Sequence, residues 1–152
     1  MAYTTAEGRE RILADLAAAT ERIAEALTLL GEAYEHLDDE LADRLQELLF
    51  RPTQAAYARA QRAHASFAQR SGLQAHGRAA TVRPAPSHGV RELIEAAAQA
   101  VQDADRLIGE LQDSMLPVEV GDPELRAGLA SVREALDRVP ELAQGLIRLV
   151  GR

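Results

Sequence analysis

The fold class is decided by residues 13–41, which read LADLAAATERIAEALTLLGEAYEHLDDEL. A seam of side chains recurs there at alternating spacings of three and four, at Leu13, Leu16, Thr20, Ile23, Leu27, Leu30, Tyr34, Leu37 and Leu41. Such a seam is typical of an α-helix that packs along a partner helix. Thr4 or Thr5 can cap its first turn, and Pro52 is expected to end or kink it. The pattern predicts a first helix over about residues 5–50.

An alternative is a break in this first helix between residues 31 and 39. Gly31 allows such a break, and Asp38, Asp39 and Glu40 resemble the acidic first turn of a new helix. A continuous helix of about 45 residues, in contrast, overhangs a shorter partner helix by tens of ångströms. Its uncovered seam then needs a second chain, so the continuous helix predicts a homodimer.

Three more helices are expected from the rest of the chain. The predicted helices span about residues 5–50, 53–71, 88–115 and 123–150. Gly72 can take the left-handed conformation of a C-terminal cap, and residues 72–88 carry Gly and Pro without apolar periodicity, which is typical of a long connection. Asp122 caps the last helix, and Pro140 is expected to kink it. The predicted fold is all-α, a single domain over residues 1–152 built as a four-helix bundle or long antiparallel coiled-coil helices.

The composition agrees with a helical bundle and excludes several classes of site. The chain has 152 residues, 3% aromatic residues and no Cys, so disulfides, thiolate metal sites and a cysteine nucleophile are excluded. No apolar run approaches the roughly 20 residues of a membrane span, and no basic region followed by an apolar run opens the chain. A cytoplasmic location without membrane contact is expected.

Charge is segregated along the sequence. Residues 1–50 carry twelve acidic residues and four Arg, and residues 92–152 carry twelve acidic residues and six Arg. Residues 51–91 carry seven Arg and no Asp or Glu. We call residues 51–91 the basic block.

The basic block has two interpretations. One is an anion-binding site formed by Arg59, Arg62 and Arg70 on the second helix, with Arg78 and Arg83 on the following connection. The other is a basic helix packed between acidic ones, whose ion pairs fix the order of the helices. The net charge of −7 favours the second interpretation and argues against nucleic acid, because an acidic chain repels a polyanion.

The sequence offers no catalytic residue, metal site or cofactor site. None of the four His residues follows a Glu at the Glu-x-x-His spacing of di-iron bundles, and His64 falls at a seam position that predicts burial. The acidic residues Glu35, Asp39, Asp43 and Glu47 repeat every four positions, as on a solvated helix face.

The sequence therefore predicts a non-enzymatic interaction or scaffolding protein, a self-associating helical bundle that also contacts a protein partner. The first alternative is an anion- or nucleic-acid-binding regulator that uses the basic block. The second is a metal-dependent hydrolase that uses helix carboxylates.

Overall fold

A computed structural model describes residues 4–75 and 89–150 of the chain. The helices are α1 (Thr5–Tyr34), α2 (Asp39–Leu45), α3 (Arg51–Ser71), α4 (Val90–Asp113), α5 (Leu116–Glu119), α6 (Pro123–Leu136) and α7 (Val139–Val150). A π-helical turn, Gln46–Phe50, joins α2 to α3. The described residues contain no strand, and the helices pack against one another, so the predicted all-α bundle is confirmed.

Helix α1 ends at Tyr34, well before the predicted residue 50. Asp38 starts a new helix there, because its carboxylate accepts the backbone N–H of Leu41 at 2.9 Å. Asp39 and Glu40 follow in the first turn of α2, where the helix dipole favours negative charge. The prediction of one continuous helix over residues 5–50 is wrong, and the alternative of a break between residues 31 and 39 is correct.

The chain passes through Pro52 without ending a helix, contrary to the expected boundary between residues 50 and 53. In the π-helical turn before it, the backbone N–H of Arg51 bonds to the carbonyl of Gln46, five residues earlier. Such a widened turn accommodates a residue that lacks an N–H and crowds the preceding turn. The second rod of the bundle therefore runs from Asp39 to Ser71, where Gly72 caps it at φ 69° as predicted.

The second half of the chain begins with α4, which starts and ends two residues inside the predicted 88–115. The predicted helix over 123–150 is divided into α6 and α7 by a turn at Asp137 and Arg138. Pro140 explains this turn, because it has no N–H to bond the carbonyl of Leu136. Asp122 caps α6 as expected and accepts the N–H of Leu125 at 2.8 Å.

Neighbouring rods of the bundle run antiparallel. Helix α1 packs against α3 and α4, α6 packs against α3, and α7 packs against α4. The start of α1 lies beside α5, where Arg9 Nε donates to the carbonyl of Val120 at 3.0 Å. The end of α3 meets the start of α6 through Arg70 and Asp122. We call this end of the bundle the lower end, and the opposite end, where α7 contacts α2 and the π-helical turn, the upper end.

The predicted seam of α1 is buried at Leu13, Leu16, Ile23 and Leu30, but at its other positions a neighbouring row of alanines takes the place of the larger residues. Ala26 and Ala33 are fully buried, whereas the predicted seam residue Leu27 is half-buried and Tyr34 is 39% exposed. Short alanine side chains allow neighbouring helices to approach closely, so they occupy the helix interface in place of the larger side chains beside them. On α4, Leu107 is half-buried and the neighbouring Ile108 is buried.

The predicted overhang of the first helix is absent, since α1 stops at Tyr34. The overhang therefore no longer supports a dimer, and the oligomeric state itself stays a prediction. No helix within residues 4–75 and 89–150 combines the length and apolar character needed to cross a membrane.

Candidate anion-binding groove

Helix α3 carries three of the five arginines predicted to bind an anion, Arg59, Arg62 and Arg70. Its buried face is made mostly of small side chains: Thr53, Ala56, Ala60, His64, Phe67 and Ala68. Because most side chains on this face are small, α3 packs closely on its neighbours. Long side chains at the edge of the face then reach across to α6. The other two predicted arginines, Arg78 and Arg83, lie outside the described residues.

The three arginines of α3 line one groove between α3 and α6. The groove has a volume of about 130 Å³, and its polar lining includes Arg59, Arg62, Ser66, Arg70, Glu124 and Ser131. Gly128 of α6 and Ala63 of α3 meet at its floor, where a Cβ atom on Gly128 would lie 3.1 Å from the Cβ of Ala63. The small residues at this crossing let the helices approach and bring the arginines to α6.

At the lower end of the groove, each of the three guanidinium nitrogens of Arg70 has a hydrogen-bond or ion-pair partner. Its Nε and Nη2 donate to the two carboxylate oxygens of Asp122 at 2.7 and 2.9 Å. Its Nη1 lies 3.0 Å from Glu124 Oε2 and donates to Ser66 Oγ, which in turn donates to Glu124 at 3.0 Å. The guanidinium also lies 5.9 Å from the ring centre of Phe67. This cluster fastens the end of α3 to the start of α6.

Electrostatics within this cluster shift both partners toward their charged forms. The hydrogen bond from Arg70 holds the pKa of Asp122 below its ordinary value, against the opposing effect of burial, and the backbone N–H of Leu125 lowers it further. The hydrogen bond to Asp122 raises the pKa of Arg70. Asp122 is therefore both a helix cap and the anionic partner of Arg70, and its ionised form is the one that stabilises the fold.

Arg59 and Arg62 make fewer hydrogen bonds and ion pairs than Arg70. Arg59 Nη1 donates to the carbonyl of Ser131 at 3.0 Å, and its nearest carboxylate, Glu134 Oε1, is 4.0 Å away on a side chain that is 83% exposed. Arg62 makes no hydrogen bond or ion pair with any residue in the described ranges. In the upper part of the groove, guanidinium N–H groups of Arg59 and Arg62 therefore have no acceptor among the described residues.

A second arginine links α6 to α4 in the same way as Arg70 links it to α3. Arg133 Nε and Nη2 donate to Asp105 at 2.9 and 3.1 Å, and Nη1 donates to Gln112 at 2.8 Å. The hydrogen bond to Asp105 raises the pKa of Arg133. Arginine–aspartate pairs therefore hold α6 to α3 through Arg70 and to α4 through Arg133.

The histidines and carboxylates of the described chain do not converge. Within residues 4–75 and 89–150, no group of three or more His, Cys, Asp or Glu side chains could hold a metal ion. Glu32 Oε2, on α1, lies 3.4 Å from Nε2 of His36, in the turn that follows α1, and both side chains are about half exposed. His64 is 7% exposed on the inner face of α3, where the seam pattern places it.

Sequence reasoning missed the contribution of α6 to the groove. Asp122 was predicted only as a helix cap, and Ser131 was not predicted at all, because nothing in a single sequence tells which residues of α6 face α3. A small residue in a helix interior, such as Gly128, is a weak indication of close helix packing.

Comparisons of the chain with protein-family models, with curated proteins and with solved structures find no match in any of the three.

Proposed function

We propose that this chain is a non-enzymatic interaction or scaffolding protein whose helical bundle self-associates through its upper end. The observation that carries the proposal is the set of incompletely buried apolar side chains there, which is larger than the set at the lower end, where Met115 and Val118 are exposed and Leu73 and Val120 are half-buried. Tyr34 is 39% exposed and Leu149 is 55% exposed. Half-buried apolar residues of the same end are Leu37, Leu41, Leu48, Phe50 and Val150. Clustered apolar surface of this kind marks interaction sites on helical proteins.

The charges around this apolar end favour a second copy of the chain as the partner. Glu40 and Glu47 are 81% and 65% exposed, and they form ion pairs one turn along the helix with Arg44 and Arg51, which are 52% and 65% exposed. In a two-fold symmetric dimer the same surface of each copy faces the other. Because the residues around the apolar patch include both acidic and basic side chains, the acidic residues of one copy can lie opposite the arginines of the other. The cytoplasmic location and the additional protein partner expected from the sequence belong to the same proposal.

Self-association predicts a dimer mass that depends on the upper end. In sedimentation equilibrium at micromolar concentration, the wild-type chain is expected to have about twice its mass of 16.5 kDa. Leu149→Glu is expected to be monomeric, because it places a charge in the apolar contact. Val118→Glu is the matched control, since Val118 is also 55% exposed but lies at the lower end, and it should remain dimeric.

Circular dichroism establishes that both variants retain the helical fold. A wild-type chain that is monomeric throughout the micromolar range would contradict the proposal. So would dissociation of Val118→Glu to the same extent as Leu149→Glu, because the contact would then not be confined to the upper end.

A further inference from the structure

The upper part of the groove between α3 and α6 has cationic donors without matching carboxylates. Arg70 is neutralised by the bidentate contact with Asp122, and Glu124 is held at the same end by Arg70 and Ser66. The nearest carboxylate to Arg59 is the exposed side chain of Glu134, 4.0 Å away, and Arg62 has no carboxylate partner among the described residues. Because α3 contains no Asp or Glu, no acidic side chain of their own helix compensates these two charges.

Most of the hydrogen-bond donors in this part of the groove also have no acceptor among the described residues. A guanidinium has five N–H donors, and only Nη1 of Arg59 donates to the protein. Neither the Arg62 guanidinium nor the Ser131 hydroxyl forms a hydrogen bond to the residues that the structure describes. Two planar guanidiniums and one hydroxyl at one groove can together bind an anion with several oxygen acceptors.

We propose that Arg59, Arg62 and Ser131 form a binding site for a phosphoryl group, as inorganic phosphate or as a phosphate monoester. A phosphoryl group presents three acceptor oxygens and up to two negative charges, so it can satisfy both guanidiniums and the hydroxyl at once. A carboxylate has two coplanar oxygens and one charge, and it matches a single guanidinium. The groove volume of about 130 Å³ admits one such group. This inference is independent of the proposed self-association, because the groove lies on the side of the bundle.

The test is a titration of the isotope-labelled chain with inorganic phosphate at constant ionic strength, followed by NMR. Saturable shifts are expected at the backbone amides of Gly128 and Ser131. Arg62→Gln should weaken binding about tenfold or more, because it removes a charge-assisted hydrogen bond. Its melting temperature should be unchanged, since Arg62 makes no ion pair with the described residues. Arg106→Gln on α4 is the control, because it makes the same charge change outside the groove and should weaken binding less than about twofold.

Titrations with phenyl phosphate and acetate identify the ligand chemistry. Tighter binding of phenyl phosphate than of inorganic phosphate supports the site and assigns it to a phosphate monoester, and equal binding supports it as a site for free phosphate. Acetate that binds as tightly as phosphate would overturn the proposal in favour of a carboxylate site. The proposal is also overturned by the absence of saturable shifts at Gly128 and Ser131, or by equal weakening in Arg62→Gln and Arg106→Gln.

Discussion

Ile23→Ala is expected to lower the free energy of unfolding by about 2–5 kcal/mol, the largest effect of any single substitution considered for this chain. Ile23 is fully buried in the interface of α1 with its neighbours, so its truncation removes apolar contacts and leaves a cavity. Ile108→Ala on α4 is expected to lower the free energy of unfolding by a similar amount, because Ile108 is 1% exposed. Urea denaturation followed by circular dichroism measures both effects.

Leu27→Ala is the matched control for the core substitutions. It removes a comparable apolar side chain from α1 only four residues after Ile23, but Leu27 is half-buried beside the alanine row. We expect it to cost about 1 kcal/mol or less. Equal losses of unfolding free energy for Ile23→Ala and Leu27→Ala would contradict this orientation of α1, because Leu27 would then face the core as fully as Ile23 does.

Asp122→Ala is expected to lower the free energy of unfolding by about 1–3 kcal/mol at neutral pH. The substitution removes the cap of α6 and leaves Arg70 without its bidentate partner. The folded pKa of Asp122 lies below its unfolded value of about 3.9. Its ionised form therefore stabilises the fold fully above that unfolded value, and the contribution disappears as the pH falls through the lowered folded pKa.

Two comparisons separate the roles of Asp122. Asp122→Asn keeps a cap acceptor but loses the charge, so it should lose less stability than Asp122→Ala. In denaturation series at falling pH, the difference between the wild-type chain and Asp122→Asn should shrink below about pH 4. A difference that persists unchanged at strongly acidic pH would show that the ion pair with Arg70 contributes nothing to it.

The helix breaks could be predicted from local sequence only where a cap and a breaker coincide. Gly72 and Asp122 define helix ends correctly, because capping depends on a few adjacent residues. The break at residues 35–38 has the same kind of signal in Asp38, yet the apolar pattern continues across it and suggests a single helix. Pro52 was a misleading signal, since the π-helical turn before it accommodates the proline inside a helix.

The orientation of α1 could not be derived from apolar periodicity alone. Two rows of side chains seven residues apart compete for the interface, Leu13, Thr20, Leu27 and Tyr34 in one row and Ile12, Ala19, Ala26 and Ala33 in the other. The second row is fully buried, whereas the first is buried only at Leu13. Close helix packing favours the small residues, and side-chain size alone favours the large ones, so a single sequence does not decide between them.

The sequence pattern places three of the predicted arginines near one another, and their binding of an anion stays a prediction. Arg59, Arg62 and Arg70 do share one groove, because spacings of three, eight and eleven along a helix keep side chains near one face. Which of them are paired depends on α6, more than fifty residues away in the chain, and local patterns carry no information about that contact. The different states of Arg70 and Arg62, one bound to Asp122 and one without a described partner, become visible only in the folded structure.

The most direct test of self-association through the upper end is a distance measurement by pulsed electron resonance between spin labels. The chain has no native Cys, so Gln144→Cys on α7 and Glu119→Cys at the lower end each give a single label per chain. Helix α1 has 30 residues and is about 45 Å long, so dimers joined at their upper ends hold their lower ends roughly 90 Å apart. The account predicts dipolar coupling below about 45 Å for Gln144→Cys and none in that range for Glu119→Cys. Coupling for Glu119→Cys alone, or for neither variant, would contradict it.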